Sequence, residues 1–260
     1  FSLEQIRTRE ADSLCQQIIN IKPNSYCIFN AIDYGDLDKV TQALLLAERE
    51  GKKIMYRTSS SFVPSYIGLP PKELLTAKDM GPLDDKKGGM IIVGSYVPKS
   101  SAQLDYLLGY FDAENTIEVN VNHLINKESS RYLHAISSKI DQKIGAGKNV
   151  VVYTSRKLIA GTDMDSNVNI GATVSNALVT VLKQTLVRPK YVLAKGGITS
   201  HDLAIKGLGM KNSKVIGQII KGVPVWQMGE ETKFPNLPYI VFPGNVGNQE
   251  SLYQITQKLS

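Results

Sequence analysis

The chain has 260 residues, 42% of them apolar and 21% charged, and carries a net charge of +6. That length suffices for one large domain or two modest ones around a well-buried core. No run approaches the ~20 apolar residues a membrane span needs, and the scattered lysines form no basic block with interleaved aromatics, which argues against membrane and nucleic-acid partners.

The opening residues, Phe1 to Ile6, lack an initiating Met and the charged flank and apolar core of a signal peptide, so they read as the start of a fragment or a trimmed chain. Residues 4–20 predict one amphipathic helix with Ile6, Ala11, Leu14 and Ile18 on one side. Ser25 to Phe29 predicts a short buried strand. Cys15 and Cys27, with no CxxC spacing, are expected as small core residues in a reducing compartment, which makes the cytoplasm the expected location. Asp36 is placed to cap a helix over Val40, Ala43, Leu44 and Ala47, with Gly51 as its stop. Ile54 to Arg57 predicts another strand, and the βαβ rhythm points to a parallel sheet. The rhythm breaks between about 67 and 89, where Gly68-Leu69-Pro70-Pro71, Gly81-Pro82 and Asp84 to Gly89 supply turn formers and charge. This sets a boundary between domains 1–80 and 81–260.

Beyond it, strands are expected at Met90–Val93, Ile117–Val121, Val150–Tyr153, Tyr191–Ala194 and Tyr239–Phe242. Helices are expected over 102–111, 127–145, 171–186 and 248–259, with a short one after Thr199. Two further strands of different geometry fall at 215–220 and 223–227. The three histidines, His123, His134 and His201, are too scattered for a zinc site, and none sits in a nucleophile context.

In open α/β sheets ligands bind beyond the carboxyl ends of the strands. That singles out Gly94-Ser95, Thr154-Ser155-Arg156, Gly196 to Ser200, and Gly244-Asn245-Val246-Gly247. In Lys195 to Ser200, adjacent glycines let the backbone approach a ligand closely. A hydroxyl N-cap at Thr199 would open a helix whose free N–H groups suit a phosphate, and Lys195 could add a point charge. The same glycines also fit an ordinary strand-to-helix turn. The run Gly94 to Ser100 fails as a P-loop, because Val93 and Pro98 stand where that motif requires glycines; it leaves a strand-end serine and a helix cap at Ser100 or Ser101. Arg156 suits a phosphate or carboxylate, or a surface ion pair.

Taken together, Lys195-Gly196-Gly197-Ile198-Thr199-Ser200-His201-Asp202, Gly222-Val223-Pro224-Val225-Trp226 and Phe242-Pro243-Gly244-Asn245-Val246-Gly247 resemble the four-carbon acid sugar kinase family. Tyr56-Arg57-Thr58, Val93-Gly94-Ser95 and Tyr153 to Arg156 follow in the expected order upstream, so the resemblance covers most of the chain. It implies two α/β domains, mostly parallel sheets with helices on both faces, the first domain incomplete. Residues 1–80 would be the remainder of an acid-sugar-binding domain and 81–260 a nucleotide-binding domain, with the reaction between them. The implied activity is ATP- and Mg²⁺-dependent phosphorylation of a small anionic sugar acid such as threonate, erythronate or 3-oxo-tetronate. Carried over by position, the ATP contacts are Ser95, Gly196, Gly197, Ile198, Thr199, Ser200 and Gly244. The family's Asp-Asp-x-Thr-Gly motif is absent, and no catalytic base is assigned. The alternatives are a non-catalytic nucleotide-binding module and an interaction or effector protein; assembly into a homo-oligomer is left open.

Overall fold

The structure, a computed structural model, describes residues 1–70, 72–81, 83–124, 129–156 and 164–259, and of 164–170 the backbone alone. The chain divides into two compact units, Phe1–Lys72 and Glu73–Ser260.

In the first unit, the helix expected over 4–20 is two helices, α1 (Leu3–Thr8) and α2 (Ala11–Ile19), separated by extended Arg9 and Glu10. Ile6 and Ala11 are five positions apart, a spacing that one straight helix cannot hold on one face. The break lets both residues be buried. They pack around α3 (Tyr34–Arg49) and α4 (Phe62–Tyr66), in a core built on Leu14, Ile18, Val40, Leu44 and Phe62. Helix α3 is capped by Asp33, not Asp36: Asp33 accepts the Asp36 N–H at 2.9 Å, and Asp36 sits at the third position of the box. The Arg7 fork then grips Asp36 through Nε at 2.8 Å and Nη2 at 3.0 Å. Those bonds, with the Ile32 N–H, hold the Asp36 carboxyl down at about 2. Gly51 follows the helix at φ +88°, where a glycine stop belongs.

The strands expected at 25–29 and 54–57 do not form, and no described residue of this unit is in a strand. Their apolarity signalled burial, yet Tyr26, Ile28 and Met55 are exposed and no neighbouring strand offers a ladder. Cys27 is likewise exposed, whereas Cys15 is buried as expected; both thiols are free.

The second unit is built on seven strands: β1 (Met90–Val93), β2 (Thr116–Val119), β3 (Val150–Thr154), β4 (Val192–Lys195), β5 (Ser213–Ile220), β6 (Val223–Met228) and β7 (Pro238–Phe242). They form one sheet in the order β2-β3-β1-β4-β7-β6-β5. The first five in that order are parallel, and β6 runs antiparallel to both of its neighbours. The α/β expectation therefore holds, and the two short strands of different geometry are the β5–β6 hairpin.

Period-2 alternation sends Met90, Ile92, Val192 and Ala194 to one face, where they meet α6 (Val121–Leu124), α7 (Ser129–Gly145) and α8 (Met164–Gln184). It sends Ile91, Val93, Leu193 and Phe242 to the other, against α5 (Pro98–Leu108) and α10 (Ser251–Lys258). Positions 127 and 128 of the expected α7 lie outside the described residues, as do Pro71 and Pro82 of the expected turns. Helix α8 begins at Met164, seven residues before the expected start. Helix α5 begins with Pro98 after an N-cap at Val97, not at Ser100 or Ser101, because the fixed φ of proline favours the first helical position.

Leu75, just past Lys72, packs against this sheet: its N–H donates to Gln218 O at 2.7 Å, and its side chain lies on Gly217 of edge strand β5. No helix among the described residues is long and apolar enough to cross a membrane.

Candidate functional site

The connection from β1 leaves on the α5 face, toward β2. The connection from β4 leaves through α9 (Gly197–Asp202), whose continuation Leu203 and Ala204 packs on the opposite face. Neighbouring parallel strands whose crossovers diverge leave a crevice outside their carboxyl ends. Between β1 and β4 that crevice is walled by the Ser95 and Gly196 segments.

Three expected loops meet there. The ladder continues past the strand ends, with the Ser95 N–H donating to Lys195 O at 3.3 Å and the Gly196 N–H donating to Phe242 O at 2.8 Å. Gly196 adopts φ +117°, which side chains other than hydrogen rarely permit; a Cβ there would stand 2.9 Å from Ser95 Cβ. A Cβ on Gly94 would stand 2.3 Å from Thr199 Oγ1, so that glycine makes room for Thr199. A Cβ on Gly244 would lie 3.3 Å from Ser95 Oγ. Ser95, Gly196, Thr199 and Gly244 are therefore neighbours in space.

The residues of the glycine segment differ in what they present. Gly197 and Ile198 are exposed, and Thr199 is half-buried. Ser200 is buried, and its hydroxyl donates to Ala194 O at 2.8 Å and Gly196 O at 2.7 Å, closing the turn. The N-cap is Gly196 rather than Thr199, because its positive φ turns the chain from β4 straight into the helix.

Arg156 forms no ion pair among the described residues. Its guanidinium donates to Ser95 O at 2.7 Å, Val93 O at 3.2 Å and Thr154 O at 3.0 Å, pinning the end of β1 from β3. Lys195 is fully buried; its Nζ donates to Pro243 O at 2.6 Å and lies 3.9 Å from the centre of the Phe242 ring. Burial, and then the charge of Lys99, pull its ammonium down to about 8. Burial also lowers the Arg156 guanidinium.

Sequence reasoning missed the contribution of α5. Lys99 Nζ donates to Asn245 O at 3.1 Å, the Ser100 hydroxyl to Gly244 O at 3.2 Å, and Gln103 Nε2 to Val246 O at 3.0 Å and Asn248 O at 2.7 Å. The partners are more than 140 positions apart, and no local pattern marks them. Three cations, Lys99, Arg156 and Lys195, thus surround the meeting point, and none has an ion-paired carboxylate among the described residues. Backbone that can be approached closely, hydroxyls at Ser95 and Thr199, and positive charge without an ion-paired carboxylate among the described residues suit a polyanion such as a chain of phosphates. No cluster of His, Cys, Asp and Glu able to hold a metal occurs among the described residues.

Residues 90–252 match the family model described as the nucleotide-binding C-terminal domain. Among curated proteins, none matches this chain. Three solved structures share the fold. A Salmonella typhimurium LT2 protein with a provisional tRNA synthase name superposes with a TM-score of 0.62 at 13% identity, over 88% of this chain and 51% of its own. A Haemophilus influenzae protein superposes at 0.58 with 15% identity, over 100% of this chain and 60% of its own. A domain of unknown function from Bordetella bronchiseptica, with bound citrate in a domain-swapped dimer, superposes at 0.56 with 16% identity, over 97% of this chain and 57% of its own. The chain thus spans between half and three-fifths of the length of these proteins.

Proposed function

The chain belongs to the family of nucleotide-binding C-terminal domains, and on that premise, together with its resemblance to four-carbon acid sugar kinases, we propose that it supplies the donor side of an ATP-dependent kinase acting on a four-carbon sugar acid. The observation that carries this reading is the meeting of the Ser95, Gly196 and Gly244 segments at the β1–β4 crevice, amid cations with no ion-paired carboxylate among the described residues. In this reading ATP contacts Ser95, Gly196, Gly197, Ile198, Thr199 and Gly244. The exposed N–H groups of Gly197 and Ile198 face the phosphates, and Ser95 and Gly244 border the nucleotide on the other side. Ser200 acts by shaping the turn, since its hydroxyl is engaged inward.

The fit of ATP rests on the cradle itself: a Cβ at Gly196 would fill the space between the two walls. Mg²⁺ would travel with the phosphates, which commonly supply much of its coordination. Phosphoryl transfer depends mainly on positioning and charge stabilisation. Lys99, Arg156 and Lys195 supply positive potential at the site, and Arg156 and Lys195 hold the loops that touch the donor. The acceptor would be a threonate-, erythronate- or 3-oxo-tetronate-like acid, bound chiefly by residues outside the second unit.

Titration of the 260-residue chain with MgATP tests the donor site; no binding at millimolar nucleotide refutes it. A panel of four-carbon acids, assayed with a longer chain carrying an acid-sugar-binding half, tests the kinase assignment. A chain that binds ATP and phosphorylates none of them refutes that assignment alone.

A further inference from the structure

Lys195 is the one lysine among the described residues that is completely buried. A buried ammonium normally has a carboxylate partner, because desolvation of a lone charge is costly. Among the described residues the Lys195 Nζ meets only the Pro243 and Gly244 carbonyls, at 2.6 and 3.4 Å, and the face of the Phe242 ring. The charged groups around it do not compensate it. Lys99 on α5 has the same sign and donates to Asn245 O. Arg156, beyond β3, is also a cation and is held on Ser95 O. On α9, Asp202 is engaged by Ser175 and Lys206, and His201 adds no negative charge. The residues paired with Lys195 across the sheet, Val93 and Phe242, are apolar.

We infer that Lys195 is a positioning residue rather than a phosphate ligand: it latches the loop after β7 onto the end of β4, and an anion bound across the Ser95, Gly196 and Gly244 segments supplies the counter-charge its burial denies it. The inference rests on the nucleotide reading above and assigns that site a proton linkage. In the free protein the ammonium titrates near pH 8. A polyphosphate nearby favours the charged form and raises that value. Binding near pH 8 therefore takes up a proton, whereas at pH 6.5 Lys195 is already protonated and contributes none.

The test is calorimetric titration of the 260-residue chain with MgATP, and separately with magnesium pyrophosphate, at pH 6.5 and pH 8. Two buffers of different ionisation enthalpy are used at each pH. The expected result is net proton uptake at pH 8 that shrinks toward pH 6.5, because Lys195 is partly neutral only at the higher pH. Lys195→Met keeps the volume of the side chain and removes the latch; it should remain folded, bind roughly 10- to 100-fold more weakly, and lose the uptake. Wild-type binding without uptake at pH 8 overturns the inference, as does a Met variant that binds as tightly with the same uptake. Should the variant fail to fold, the wild-type comparison between the two pH values decides alone. Failure of both ligands to bind wild type removes the nucleotide reading, and this inference with it; binding without the proton signature removes only the latch.

Discussion

Adjacent glycines at 196 and 197 are expected to respond to the same mutation in opposite ways. At Gly196 a methyl group meets two penalties. The backbone stands at φ +117° and ψ +141°, a region used almost solely by glycine, and holding alanine there costs about 1–3 kcal/mol. The new Cβ also stands 2.9 Å from Ser95 Cβ and 3.3 Å from Thr199 Oγ1, so one wall must move, an overpacking cost of about 1–3 kcal/mol. Gly196→Ala should therefore lose roughly 2–6 kcal/mol of stability in the second unit. Gly197 has an ordinary φ and nothing within 4 Å of a Cβ, so Gly197→Ala should leave stability within about 1 kcal/mol of wild type. Urea unfolding followed by the fluorescence of Trp226 measures this directly, since that single tryptophan lies in β6 and reports on the second unit. MgATP titration of the same variants separates fold from function. Gly197→Ala should stay folded yet bind roughly tenfold or more weakly, because the methyl group occupies the space in which phosphate would approach the backbone. An unchanged urea midpoint for Gly196→Ala would refute the loop geometry; undiminished MgATP affinity for Gly197→Ala would refute the placement of the ligand.

Other changes test the surroundings of the site and the first unit. The Tyr191 hydroxyl is buried with no hydrogen-bond partner among the described residues, so Tyr191→Phe should stabilise the second unit by roughly 1 kcal/mol or more, read as a higher urea midpoint. Lys195 has a folded-state value of about 8, below its ordinary 10.5, so between those pH values the unfolded chain binds more protons. Stability of the second unit should therefore rise across pH 8 to 10 relative to Lys195→Met, measured by thermal unfolding. In the first unit the Asp36 carboxyl, held at about 2 by Arg7, contributes stability above its ordinary range near 3.8 and loses it as pH falls toward 2. Asp36→Asn should flatten that acid limb, followed by far-UV circular dichroism.

Much of the second unit can be read from its sequence. Met90 to Val93, Val150 to Val152 and Val192 to Ala194 are short apolar runs bounded by turn formers, and each became a fully buried parallel strand. The same cue failed at Tyr26 and Ile28, because apolarity reports a tendency to be buried and says nothing of whether a neighbouring strand exists. The glycine segments were visible as loops, but their meeting was not. Gly94 accommodates Thr199 across more than a hundred positions, and only the strand order brings them together. For Lys195 a usable signal was present. Tyr191, Leu193 and Lys195 alternate onto one face of β4, which places the lysine with the core residues rather than with the solvent. Its place beside two glycines had suggested an outward charge instead.

Leu75 gives the sheet a longer footprint than the family match suggests. Its side chain sits where a Cβ on Gly217 would lie only 2.9 Å away, and its N–H occupies a carbonyl of β5 that would otherwise be open. A fragment cut at residue 90, where the family match begins, discards that plug together with Met80, which is buried in the same apolar layer. Such a fragment would expose β5 as a bare rim able to recruit a strand from another molecule. Its expected failing is clumping during expression, even with every ligand-facing residue intact. A cut placed at Glu73 keeps the rim covered and gives the shortest piece on which nucleotide binding can be measured fairly.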